Sequence, residues 1–151
     1  MEGKGLNTIY HENLNGEFYS GTSGLVLPLN KRDFPIAFRD KSRLEYYASF
    51  FNSIEINSSF YKLPKDTTVS KWTESVGNDF KFTFKIPKCI THSKELNFDE
   101  SEINEFCHLM QEIGGRKGCF LAQFPPSIKI AKLDQIHLLL ENFKKNNSSI
   151  S

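Results

Sequence analysis

Glu55 interrupts a run that otherwise reads as a buried strand. In "SIEINSSFYKLP", Ser53 to Pro64, Ile54 and Ile56 take one face of an extended segment, and Glu55 and Asn57 take the other. A carboxylate held away from water must be paired or protonated, because a lone charge in low dielectric is costly. Glu55 therefore reads as a general base, a metal ligand or half of an ion pair. Lys85, at the end of the next strand-like run "FKFTFKIP" and on the corresponding face, is its expected partner. Two readings stay open: a satisfied interior pair, or a site acid/base beside a charge-neutralising lysine. His92, in "THS" just beyond that strand, adds an imidazole that changes charge near neutral pH. Glu55, Lys85 and His92 are the catalytic candidates. Asn57 and Gln123 can orient a substrate through their amides. Tyr61 offers a phenol at the site mouth or simply a packed aromatic ring. His11, His108 and His137 carry no such context.

Several chemistries lack their signatures. No H-x-H or H-E-x-x-H spacing occurs, so no metal site is assigned. "GTSG" at Gly21–Gly24 follows a strand and its amides can meet an anion, but neither a G-x-G-x-x-G nor a P-loop lysine accompanies it. No G-x-S-x-G marks a serine hydrolase. The cofactor is left unknown. Cys89, Cys107 and Cys119 are odd in number and form no C-x-x-C, so they read as small buried hydrophobes in a reducing compartment.

The elements that must position these residues recur as a unit. "EFYSGTSG" reads as a short strand closing on glycines. Ser42-x-x-Glu45 reads as a capping box, opening a helix with Leu44, Tyr47, Ala48 and Phe51 on one face. The strand "SIEIN" follows, then a helix capped by Asp66 and carrying Val69, Trp72 and Val76. Phe80, Phe82 and Phe84 alternate in a third strand, and "KCITHSKELNF" reads as its loop. Asp99-x-x-Glu102 starts a third helix, which Gly114 and Gly115 end. "GCFLAQF" is the fourth strand, and Leu133, Ile136, Leu140 and Phe143 mark the fourth helix. Residues 1–16 read as an irregular lead-in, 17–145 as one domain and 146–151 as a polar tail.

Strands alternating with helices imply right-handed crossovers and a parallel sheet. One face of each strand is apolar; the other turns polar toward its C-terminal end, at Asn57, Lys85 and Gln123. An open sheet sandwiched by helices disfavours that polarity. A barrel interior opening to a mouth at the strand C-termini accepts it. The expected fold class is α/β, a TIM-barrel-like (β/α) repeat with parallel strands, stopping after about four βα units.

Four motifs carry a family resemblance: "GTSG", "IEINSSFYKLP", "FTFKIPKCITH" and "QFPPS". In this order and spacing they resemble the YecE-like family, domain of unknown function 72, from about Phe18 to Phe143. The resemblance implies a TIM-barrel-like fold, in agreement with the face argument. Family members carry aromatic residues soon after the first motif, where this chain has Leu25, Val26 and Leu27. A TIM barrel takes roughly 250 residues, so the 151 residues here resemble the N-terminal part of a family member.

The composition, 38% hydrophobic and 25% charged with 14 Phe, describes a soluble globular domain. No apolar run serves as a signal peptide or membrane span, so the expected compartment is the cytoplasm. Net charge is +1, which gives no global case for nucleic acid, although Lys31, Arg32, Arg39, Lys41 and Arg43 fall close together against only Asp33 and Asp40. The functional expectation is hydrolase-type acid/base chemistry on a small polar or phosphate-bearing ligand. Its alternative is a non-catalytic binding or interaction protein, or an inactive fragment. Unpaired strand edges where a barrel would continue predict self-association.

Overall fold

The structure is a computed structural model that describes residues 17–148. The lead-in at 1–16, with His11, and the last three residues lie outside them. Alternating apolar residues form three parallel strands, β1 (Ser53–Ile56), β2 (Lys81–Lys85) and β3 (Lys117–Leu121), in the order β1-β2-β3. β1 and β2 pair with Glu55 opposite Thr83. β2 and β3 pair with Phe84 opposite Phe120 and Lys85 opposite Leu121, after an irregularity between Phe82 and Phe84 that adds one residue to β3.

The glycine-closed strand expected at 17–24 is reduced to one parallel bridge, Ser23 to Glu55. Ser53 N–H donates to Ser20 O at 3.1 Å, Glu55 N–H to Thr22 O at 3.1 Å, and Gly24 N–H to Glu55 O at 2.9 Å. Gly24, at φ 85°, then turns the chain out of the extended region. The segment lies where a neighbouring strand would, but ends before it becomes one. Gly21 permits this approach: a Cβ there would stand 1.9 Å from Ser53 O.

Among the described residues five α-helices accompany the strands: α1 (Arg43–Tyr47) before β1, α2 (Asp66–Glu74) between β1 and β2, α3 (Lys88–Thr91) and α4 (Glu100–Gln111) between β2 and β3, and α5 (Leu133–Ser148) after β3. The capping box of α1 is present: Glu45 N–H donates to Ser42 Oγ, and Ser42 N–H donates back to the Glu45 carboxylate. The helix stops at Tyr47, short of the expected Phe51. Asp66 is the first residue of α2 rather than its cap, a place now held by Lys65, and its charge suits the helix N-terminus. Asp99 caps α4 through Ser101 N–H. The α3 turn replaces part of an expected loop, starting after Pro87, whose fixed φ suits a helix entry. In α5 the buried face runs through Leu139 and Phe143; Leu140, expected inside, is exposed. The helix continues to Ser148, into what read as the tail.

The helices cover one face of the sheet. Ile54, Ile56, Phe82 and Phe84 point into that layer and are buried. Trp72 of α2 stacks on Phe82, and Phe106 of α4 meets Phe120 of β3 edge-on at 4.9 Å. Each fully buried Phe contributes about 1.5–3 kcal/mol through burial. The opposite face is only half covered at Ser53, Glu55, Lys81, Thr83 and Lys85, and open at Cys119 and Leu121. Among the described residues the sheet is open, with three parallel strands alternating with helices.

Candidate functional site

Because the strands are parallel, their C-terminal ends meet on one side of the sheet, and the loops leaving them share that side. β1 delivers Glu55 and then Asn57, β2 delivers Lys85, and His92 follows one short helix later.

Glu55 is half-buried on the open face. Its backbone is held by the Thr22 and Gly24 bonds, while its carboxylate has no hydrogen-bond or ion-pair partner among the described residues. It borders two hollows. One, of about 260 Å³, lies at the end of β1 against Leu25, Leu44, Asn57, Ser58 and Trp72. The other, of about 180 Å³, lies beside Thr22, Ser23 and Thr83. Asn57 Nδ2 donates to Ser23 Oγ, tying the first motif to the second.

The expected Glu55–Lys85 ion pair is absent. Register explains it. Glu55 stands opposite Thr83, so Lys85 lies two residues further along β2, about 6.6 Å at the usual strand rise. Lys85 instead places its ammonium 4.7 Å from the centroid of the Phe60 ring. His92 meets the same ring edge-on at 5.0 Å, and so does Tyr61. Phe60 thus gathers three of the sequence candidates, although nothing in its apolar side chain marked it for that role. Tyr61 is 81% exposed and leans on the ring without being packed beneath the surface.

A second tie was equally hard to foresee. Ser59 is fully buried, and its hydroxyl lies 2.7 Å from both Ile56 O and Lys85 O. It joins the ends of β1 and β2 where the candidate side chains depart. Its signal is a serine three residues beyond a strand end, a weak cue in a Ser-Ser pair.

His92 is half-buried, and Thr91 Oγ1 lies 3.0 Å from its Nδ1. Burial, then the positive charges of Lys88 and Lys85, hold its imidazole below the usual 6.5. It therefore stays neutral at pH 7, able to accept one proton and donate another. Gln123 is exposed, just beyond β3. The structure thus separates the candidates into a carboxylate group, Glu55 with Asn57, and a second group around Phe60, the Lys85 ammonium and the neutral His92 imidazole.

No cluster of three or more metal-ligating side chains occurs among the described residues. No helix among them is long and apolar enough to cross a membrane. The cysteine expectation is corrected: only Cys107 is buried, whereas Cys89 and Cys119 are exposed. Cys89 lies on the outer side of the α3 turn, and Cys119 lies on the uncovered sheet face.

A parallel sheet covered by helices on one face, with polar residues gathered beyond its strand ends, defines an α/β domain of the repeating strand-helix kind. The chain belongs to the DUF72 family, described as a protein of unknown function, which it matches over residues 19–149. It is 33% identical over 99 residues to the UPF0759 protein YecE of Escherichia coli K12, covering 66% of this chain and 36% of that one. It resembles the crystal structure of a DUF72 family protein from Enterococcus faecalis V583, with TM-score 0.60 and 23% identity. That match covers 68% of this chain and 40% of the solved one. A DUF72 family protein from Thermotoga maritima MSB8 gives TM-score 0.57 at 22% identity, over 83% of this chain and 52% of that one. The chain therefore spans about a third to a half of the length of these relatives.

Proposed function

We propose that this chain forms part of a TIM-barrel-like domain whose polar site, at the C-terminal strand ends, binds a small anionic or phosphate-bearing ligand. The carrying observation is the grouping of Lys85 and His92 around Phe60, one strand away from a Glu55 carboxylate that has no partner among the described residues. A cation and a neutral imidazole suit the charged part of such a ligand. Glu55, unpaired among the described residues and set two residues back from Lys85 by the register, then acts as general base in hydrolase-type acid/base chemistry. Asn57, Tyr61 and Gln123 then orient the ligand. Polar residues at the C-terminal ends of parallel strands support this reading, since barrel sites are built there. Fold alone carries no function; these side chains supply the chemistry.

Titration with inorganic phosphate, followed by the His92 imidazole NMR signals, tests the reading. Saturable shifts that disappear in Lys85→Met are expected. A His92 signal unmoved by millimolar phosphate, or one that responds equally in Lys85→Met, overturns it.

The second reading, a non-catalytic interaction module, is favoured by one observation: the sheet has an uncovered face and an unpaired edge among the described residues.

A further inference from the structure

Among the described residues, no helix layer covers the polar face of the sheet. Thr83 and Lys85 stay half-buried, while Cys119 and Leu121 are exposed on β3, a strand with no neighbour beyond it among the described residues. At the other edge, the Ser20–Gly24 segment accepts two N–H groups from β1; its Ser20 and Thr22 N–H groups are taken by the Asn52 and Tyr47 side chains and its Gly24 carbonyl by Val26 N–H and Thr22 Oγ1, so that among the described residues Gly21 and Ser23 are the ones whose backbone groups stay open to a further strand. Unpaired edges are templates for another strand, and the β3 edge carries an apolar Leu121.

We propose that the occupant is a second copy of this chain, related by a twofold axis running parallel to the strands. Only that orientation keeps all strands parallel, and it sets β3 of each copy beside the Ser20–Gly24 segment of its partner, twice over. A twofold interface must be self-complementary. The open face meets that condition, since it carries the Glu55 carboxylate and the Lys85 ammonium unpaired with each other. The net charge of +1 opposes association only weakly. The partner would close the open face and bring its own Glu55 and Lys85 to the same interior. This inference stands apart from the ligand reading, because it concerns mass and strand pairing, whereas phosphate titration concerns the Lys85–His92 group.

Light scattering on the 151-residue chain after size exclusion tests it. The expected mass is twice 17.4 kDa. Leu121→Lys, at an exposed side chain, should return the mass to 17.4 kDa with the helical circular dichroism retained. Ser20→Cys should form an intermolecular disulfide with Cys119 on mild oxidation. A folded monomer at all concentrations, a heterogeneous aggregate, or a dimer untouched by Leu121→Lys and uncrosslinked by Ser20→Cys overturns the proposal.

Discussion

The Lys85 ammonium sits 4.7 Å from the centroid of the Phe60 ring, not beside the Glu55 carboxylate. This contact fixes the cationic side of the candidate site. An ammonium over an aromatic face contributes about 0.5–1 kcal/mol when exposed and about 2 when desolvated. With Lys85 half-buried, Phe60→Leu should cost about 1 kcal/mol in a denaturant melt. Lys85→Met should cost little in the Phe60→Leu background, so the double-mutant cycle should show coupling. Additive losses would mean that the two residues are independent.

His92 gives a pH prediction with a definite sign. Its folded pKa lies below 6.5, through burial first and then Lys88 and Lys85. Between that lowered value and 6.5 the unfolded chain binds more protons than the folded one, so stability rises with pH. The contribution is full above 6.5 and is lost as pH falls through the window. Imidazole NMR should show His92 titrating below 6.5 in the wild type and closer to it in Lys85→Met. A wild-type midpoint at or above 6.5 would contradict the packing described.

Gly21 should resist substitution although it is exposed. A Cβ would meet the Ser53 carbonyl oxygen at 1.9 Å, a backbone atom that cannot swing aside. Gly21→Ala should push the Ser20–Gly24 segment off β1, at a cost of about 1–3 kcal/mol, as for overpacking elsewhere. Hydrogen exchange is the direct readout. The Ser53 and Glu55 amides, which donate to Ser20 and Thr22, should lose protection while β2 keeps its own. Unchanged protection at those two amides would show that the approach is not required.

Much of this architecture was legible in the sequence, for physical reasons that also mark its limits. Period-two alternation in "SIEI" and "FKFTF" fixes strands with one apolar face, and Ser42-x-x-Glu45 fixes a helix start. The Glu55–Lys85 pair failed because alternation gives the face and not the register between strands; a shift of two residues separates partners on the same face. The "LLL" run at 138–140 leaves helical phase undetermined, and contact of Phe143 with Phe106 and Phe120 selects Leu139 for the interior. The three cysteines look alike as residue types, and only tertiary burial separates them. Phe60 and Ser59 organise the site through a ring face and a buried hydroxyl; the first has no sequence signature and the second only the weak cue of a Ser-Ser pair after a strand.

The cysteines turn that difference into a measurement. Burial pushes the Cys107 thiol up to about 11, so almost none is thiolate at neutral pH. Cys89 is exposed, though partial burial and Glu102 raise its thiol. A maleimide or disulfide reagent should label Cys89 slowly, Cys119 readily in the Leu121→Lys chain, and Cys107 only after unfolding. Labelling of Cys107 at the rate of the others in the folded protein would place it outside the α4 core face.

Ser59 tests whether the strand ends are held as a unit. Its hydroxyl lies 2.7 Å from the carbonyls of both Ile56 and Lys85, in a place with no solvent access. Ser59→Ala removes the donor and leaves a buried carbonyl short of a partner, a loss of about 1–3 kcal/mol. The Lys85 carbonyl is tied to this hydroxyl, so the substitution should also loosen the Lys85–Phe60–His92 group. Melting by Trp72 fluorescence reports the first effect, since Trp72 is the single tryptophan and stacks on Phe82. The His92 titration reports the second, by moving toward 6.5 as the ring is less confined. A stability loss without any movement of His92 would separate the strand tie from the site.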